Sequence, residues 1–340
     1  MYRAIKPVYN LKTGSKYSNK ENKMKAAYYS KYGPPEVLYI KEVEKPVPKK
    51  NEILIRIKAT AVNSGDCRLR KADPFAVRFV FGLTKPKINI LGSVFSGEVE
   101  NVGKQVKRFS TGDKVFGHTD MHFGANAEYI AVPETGSLAL KPANISHNEA
   151  AAIPFGAVTA LHFIKKAMIK PGQKVLVVGA SGAVGSAAVQ LARSCGADVT
   201  GVCSTANIEM VKSIGANKVI DYTKEDFSHN GEVYDLIFDA VNAVSVTRTL
   251  KSLSKEGLLV LSAAGMWKMF QGLWFSSTSK KKVLTGLIRH TTEDIVFLKD
   301  LIEKNKFKPV IDRTYSLEQI AEAHAYVEKG HKKGNVVITI

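Results

Sequence analysis

The chain has 340 residues, 45% hydrophobic and 24% charged, enough for about two soluble domains at roughly 150 residues each, with no apolar run near the ~20 residues that span a bilayer. Its three cysteines, Cys67, Cys195 and Cys203, are too few for a disulfide framework and fit a reducing compartment, taken as the cytoplasm. The net charge of +18 suits an anionic partner such as a phosphorylated cofactor, but no aromatic-plus-basic motif accompanies it, so no nucleic-acid partner is expected.

Residues 1–23 hold six Lys/Arg against one Glu and show little hydrophobic periodicity. They read as a disordered extension, an upstream start ahead of Met24, or an organelle-targeting segment. Targeting ranks last, because transit peptides favour Arg and Ser over Lys and Asn. From residue 24 to about 148 the pattern is mainly β. "EILIRIKATAVN" (Glu52–Asn63) alternates apolar and polar, as a half-buried strand does, and "GSVFSGEVENVG" and "GDKVFGH" are punctuated by glycine turns.

The texture changes near Asn148. "NEAAAIPFGAVTALHFIKKA" has helical spacing. Strands and helices then alternate: "KVLVVG" strand, "AVGSAAVQLARSCG" helix, "DVTGVCS" strand, "ANIEMVKSIG" helix, then three more strands in "KVIDY", "YDLIFDAV" and "GLLVLSAAG". Short apolar runs alternating with helices imply an α/β domain with a doubly wound parallel sheet. After Gly265 the pattern blurs in "MWKMFQGLWFSSTSKKK" (266–282). Two amphipathic helices, within 291–306 and 315–330, and a closing strand "NVVITI" follow.

Gly179, Gly182 and Gly185 lie between strand and helix. Bare backbone there lets a pyrophosphate approach, and the helix N-terminus offers it free N–H groups and a positive dipole end. The spacing, G-x-x-G-x-x-G, is one residue wider at its first step than the usual fingerprint. Ser181, Ala183 and Val184 share the loop and first helical turn and are expected to contact the cofactor. A site for NAD ordinarily ends its second strand in an acid that holds the ribose 2′-OH. Here that strand ends "GVCSTAN" (Gly201–Asn207), with no acid. Ser204 and Thr205 offer hydroxyls to a 2′-phosphate, with Tyr222 and Lys212 nearby in sequence. This favours NADPH; alternatively the two hydroxyls cap the next helix.

The motifs "GPPEVL", "ATAVNSGD", "ILGSVFSGEVENVG", "GDKVFG", "AAAIPFGAVTAL", "VLVVGASGAVGSAAVQLA", "VKSIGANKVIDY" and "VIDRTYSLEQIAEAHAYVEKG" resemble the medium-chain dehydrogenase/reductase superfamily, and within it the zinc-free quinone oxidoreductase-like branch. The resemblance spans Met24 to Ile340. It implies a GroES-like, mainly β catalytic domain (24–148 and 291–340) and a Rossmann dinucleotide-binding domain (149–290). At the positions where zinc-dependent members carry catalytic ligands this chain has Asn63, Ser93 and Phe155, none a good zinc ligand. His118 and His122, four apart in a glycine-bordered loop, read as solvated surface. No metal is expected.

Without a Lewis acid, the chemistry implied is hydride transfer to a small electrophilic acceptor that is already electron-poor, either a quinone or the C=C bond of an α,β-unsaturated carbonyl. Asn63 is the candidate donor to the acceptor's oxygen. Asp66 reads as a structural turn residue. Thr159 opens a helix that the family places beside the nicotinamide. Ala240, Val241 and Ser262–Ala264 (with Ala263 as cofactor contact) end two strands at the ligand-binding crevice. Close relatives carry a lysine where this chain has Ala206 and Asn207, so Lys332 or Lys333 is expected to serve the 2′-phosphate. Arg68 and Pro74 stand where bacterial quinone reductases have tyrosines, which weakens quinone as the acceptor. The 266–282 stretch reads as a substrate lid, a dimer contact or an interfacial segment for peripheral membrane association. The resemblance also implies a homodimer. The alternatives carried are an enoyl thioester reductase and a cofactor-binding protein with a structural or RNA-binding role.

Overall fold

The computed structural model describes residues 22–263 and 281–340. The expectations for the N-terminal extension up to residue 21, for Ala264 and for the aromatic stretch up to residue 280 lie outside those residues. Among the described residues, no helix is long and apolar enough to cross a membrane.

The chain divides into two compact units. One takes the chain up to Pro154 with Arg313–Gly330 and Val336–Ile340; the other takes Phe155–Asp312 and His331–Asn335. The first unit is organised around β3 (Glu52–Val62). An antiparallel pair, β1 (Lys23–Tyr28) and β2 (Tyr39–Glu44), precedes it. The main sheet runs β14 (Ile311–Ser316), β15 (Asn335–Thr339), β3, β4 (Val94–Val102), β5 (Lys114–His118) and β7 (Ser137–Leu140), with β6 (Tyr129–Pro133) also paired to β3.

The expected half-buried alternation of β3 is not what forms. Apart from Arg56 and Lys58, every residue of the strand is buried. The reason is that β3 has three strand partners and a core on each side. Ile53, Ile55 and Ile57 pack with Phe95, Val99 and Val115; Val62 packs with Leu69, Ile320 and Val336. Each such side chain contributes roughly 1.5–3 kcal/mol by leaving water. The Thr60 hydroxyl, fully buried, is satisfied by donating to the Val94 carbonyl at 2.6 Å.

The second unit holds a six-stranded parallel sheet in the order β10 (Lys218–Asp221), β9 (Asp198–Cys203), β8 (Lys174–Val178), β11 (Tyr234–Asp239), β12 (Leu253–Leu261), β13 (Lys282–Leu284). Chain order reverses between β8 and β11, so their carboxyl ends flank the switch point where open α/β sheets bind ligands. Val175, Leu176 and Val177 are fully buried, the continuous apolar run of a strand covered on both faces.

The helical span read as continuous over 148–167 is two helices, α3 (His147–Ala151) and α4 (Gly156–Ala167). Pro154 separates them, since it lacks an N–H and disfavours helix in the residue before it. The boundary between the units also falls there rather than at 148. The helix Thr292–Glu303, expected with the β-rich domain, lies in the second unit. It is held to α4 by Lys165, whose ammonium donates to Asp294 at 2.6 Å.

Candidate functional site

Three glycines shape the turn from β8 into α5 (Ala183–Ser194), each for a different reason. Gly179 has φ +76, and a Cβ on it would lie 2.5 Å from Cγ1 of Val241. Val241, two residues beyond the end of β11, therefore closes over the loop. A Cβ on Gly185 would collide with the Gly179 carbonyl, so this glycine permits close packing of helix on strand. A Cβ on Gly182 would meet nothing nearer than 3.6 Å, so the space above it is open. Gly182 is the N-cap of α5, and no side chain caps the helix. The first-turn N–H groups of Ala183, Val184 and Gly185 thus face the open side of a bare loop.

Neighbouring segments fix this loop. Gly179 and Ala180 donate to the Val202 carbonyl. Gly334 donates to the Ser181 carbonyl at 2.7 Å. The Asn207 amide donates to Ser181 Oγ at 3.2 Å and to Ser204 Oγ at 3.1 Å, bridging the glycine loop to the end of β9. Its own Oδ1 is buried without a hydrogen-bond partner. An orphaned acceptor beside an anion cradle fits a ribose hydroxyl. Open space over Gly182, uncapped helical N–H groups and the Asn207 acceptor together fit a dinucleotide.

At the expected 2′ end, Ser204 accepts from Asn207 and keeps its own proton. Lys333 Nζ reaches the Ala206 carbonyl at 3.5 Å, which brings a cation over the segment that lacks the relatives' lysine. Tyr222 is 56% exposed and follows β10, its N–H donating to the Cys203 carbonyl. Lys212 pairs with Glu209 at 3.1 Å. Thr205 is engaged elsewhere. Its hydroxyl donates to Asp221, the last residue of β10. No acid ends β9, yet the parallel ladder sets Asp221 opposite Cys203 and so delivers one from the next strand.

Ala240 donates to the Val178 carbonyl, and the Asp239 carboxylate, fully buried, accepts the N–H groups of Val241, Ala243 and Val244. Ser262 donates to the Asp239 carbonyl through both N–H and hydroxyl, which sets Ala263 just beyond the end of β12. A Cβ on Gly156 would lie 2.6 Å from the Ala183 carbonyl oxygen, so the start of α4 touches the start of α5. Thr159 thereby sits one turn from the glycine loop. Its hydroxyl donates to the Phe155 carbonyl at 2.7 Å, leaving it an acceptor.

In the first unit, Asn63 caps α1 (Ser64–Lys71). Its Oδ1 accepts from Gly65 and Asp66, and its Nδ2 donates to Ser93 Oγ at 3.0 Å. An amide has two donor hydrogens, so one remains for a ligand. Asp66 does more than turn the chain. Fully buried, its carboxyl accepts from Asn63 N–H at 3.1 Å and from Gly92 N–H at 3.2 Å, and so holds Asn63 against the loop that carries Ser93. Burial pushes its pKa up to about 7, against the opposing pull of these two bonds.

Asn63 and Ser93 offer an amide and a hydroxyl bonded to each other, which does not fit a zinc ion seeking thiolate or imidazole. The reading of His118 as solvated surface is corrected. It ends β5 and is buried, its Nδ1 accepting the Asp120 N–H at 2.8 Å, whereas His122 is exposed.

Known proteins carry the same plan. An alcohol dehydrogenase GroES-like domain family matches residues 49–143 and a zinc-binding dehydrogenase family matches 214–338. The chain is 34% identical over 331 residues to a 2-methylene-furan-3-one reductase of Solanum lycopersicum, and 33% identical over 327 residues to an NADPH-dependent alkenal/one oxidoreductase, chloroplastic, of Arabidopsis thaliana. Each alignment covers 93% of this chain and 79% of the relative. The structure of a quinone oxidoreductase from Coxiella burnetii superposes with a TM-score of 0.85 at 28% identity, over 94% of this chain and 99% of that one. The sequence motifs, the parallel sheet with its glycine turn and these likenesses agree, and the chain belongs to the medium-chain dehydrogenase/reductase superfamily, in its quinone oxidoreductase-like branch.

Proposed function

We propose that this oxidoreductase uses NADPH to reduce an electron-poor acceptor, the C=C bond of an α,β-unsaturated carbonyl or a quinone, without zinc. The observation that carries the reading is the bare, uncapped loop at Gly182, bridged by Asn207 to the end of β9. The bound nicotinamide would supply the hydride. The chain's own groups bind and orient. The N–H groups of the first turn of α5 take the pyrophosphate. Ser204, Tyr222 and Lys333 take the 2′-phosphate, and Val241 and Ala240 border the adenosine. Thr159 and Ala263 offer acceptors near the carboxamide. The remaining N–H of Asn63 donates to the acceptor's carbonyl oxygen as negative charge develops there. Solvent supplies the final proton.

The test is steady-state oxidation of NADPH and of NADH by the purified chain with enals, enones and quinones, with and without a chelator. Turnover of one acceptor class with NADPH preferred and the chelator without effect is the expected result. Tight NADPH binding with no turnover of any acceptor would overturn the catalytic reading, and loss of turnover in chelator would overturn the zinc-free one.

A further inference from the structure

The Asp221 carboxylate lies beside the 2′ subsite and has no part in the binding scheme above. It is 7% exposed. One oxygen, Oδ2, takes the Thr205 hydroxyl, with the Lys224 ammonium at 3.9 Å. The other, Oδ1, takes both the Thr223 N–H at 3.0 Å and the Thr223 hydroxyl at 2.7 Å. The two threonine hydroxyls lie 3.2 Å apart. The Thr205 bond, first among these contacts, holds the carboxyl below the usual carboxylate range, so it is an anion at neutral pH.

An acid at this corner of a dinucleotide site ordinarily selects for the unphosphorylated cofactor, because it accepts from the ribose 2′-OH and repels a 2′-phosphate. Here the acid is present, but its acceptor capacity is taken up by the chain. A carboxylate has about four lone-pair positions, and three are filled by the two threonines, with an ammonium facing the fourth. Both threonines are exposed, so burying a hydroxyl in the core cannot explain them.

We propose that Thr205 and Thr223 set cofactor preference by occupying the Asp221 carboxylate, which keeps a latent 2′-OH acceptor turned away and leaves the subsite to the 2′-phosphate. This inference rests on the reading of the site as an NADP(H) site.

The experiment is equilibrium binding of NADPH and NADH, by titration of cofactor fluorescence, to four full-length proteins: the unaltered chain, Thr205→Val/Thr223→Val, Asp221→Asn, and the triple variant. Valine keeps the shape and removes the hydroxyls. The ratio of the NADH Kd to the NADPH Kd is expected to fall about tenfold or more in the double variant, by gain for NADH and loss for NADPH. Adding Asp221→Asn should abolish that gain, while Asp221→Asn alone should leave NADH no tighter than in the unaltered chain. An unchanged ratio in the double variant, or a shift that survives Asp221→Asn, overturns the proposal. The unaltered chain tests the underlying reading separately, since a preference for NADH there would overturn the NADPH assignment whatever the variants do. The exposed single variant Thr223→Val reads the same shift in smaller measure should the double variant lose its fold.

Discussion

Asn63 carries two duties that a single substitution can separate. Its oxygen caps α1 and its nitrogen faces Ser93 with one hydrogen left over. Removing the whole side chain would cost roughly 1 kcal/mol as a lost N-cap and confuse the two. Asn63→Ser keeps a capping oxygen and removes the amide donor. The variant is expected to fold, to bind NADPH as before, and to lose roughly 10²-fold in kcat, the usual loss when one donor to a developing oxyanion is removed. Steady-state kinetics beside a cofactor titration check this. An unchanged kcat would show that another group meets the acceptor's oxygen.

At the scale of elements, the β8–loop–α5 turn makes opposite predictions for two of its glycines. A Cβ at Gly185 meets the rigid backbone carbonyl of Gly179. Gly185→Ala therefore forces helix and strand apart and should cost about 1–3 kcal/mol of stability together with cofactor binding. A Cβ at Gly182 enters open space. Gly182→Ala should leave the melting temperature within a degree or two and weaken NADPH binding about tenfold or more, because the methyl would stand in the space proposed for the pyrophosphate. Thermal melts and cofactor titrations of the two variants separate packing from binding.

The same elements show what a sequence can carry. Continuous apolar runs such as Val175–Val178, followed by glycine turns, mark the parallel strands and the glycine turn into α5 directly. Other features depend on register and burial. That Asp221 serves the end of β9 follows from its pairing with Cys203 in the ladder, and no spacing rule links residues 18 apart in this way. Asn207 has no sequence signal beyond standing where the resemblance implies a lysine, and only the fold brings its amide between the glycine loop and the end of β9. The three residues of β13 are too few for any periodicity, and the burial of β3 on both faces comes from partners distant in sequence.

For the molecule as a whole, stability should depend on pH through buried groups that oppose one another. His147 and His324 are pushed down to about 4 and about 3, and His162 is lowered as well, in each case chiefly by burial. Groups depressed in this way give stability that is present above the unfolded value near 6.5 and lost as pH falls. Asp66 behaves in the opposite sense. With its pKa raised from 3.8 to about 7 by burial, the folded chain holds a proton that the unfolded chain has released. Its contribution is full below 3.8 and is lost as pH rises through about 7. From pH 6.5 to 8 the Asp66 titration lowers stability by about 1 kcal/mol, or about 2 °C in Tm for a chain of this size, while the histidines, still half charged in the unfolded chain near 6.5, lose their protons and oppose it. Asp66→Asn removes the titration. One of the two N–H groups that share its carboxyl loses its acceptor, which costs roughly 1–3 kcal/mol at every pH, but between pH 6.5 and 8 the variant should gain about 1 kcal/mol relative to the unaltered chain. Below 6.5 the variant should lose stability with acid more steeply than the unaltered chain, because the histidines then act unopposed. Melting curves of both proteins from pH 5 to 8 measure this. Parallel curves would mean that the Asp66 carboxyl is ionised throughout and that the two backbone N–H groups outweigh its burial.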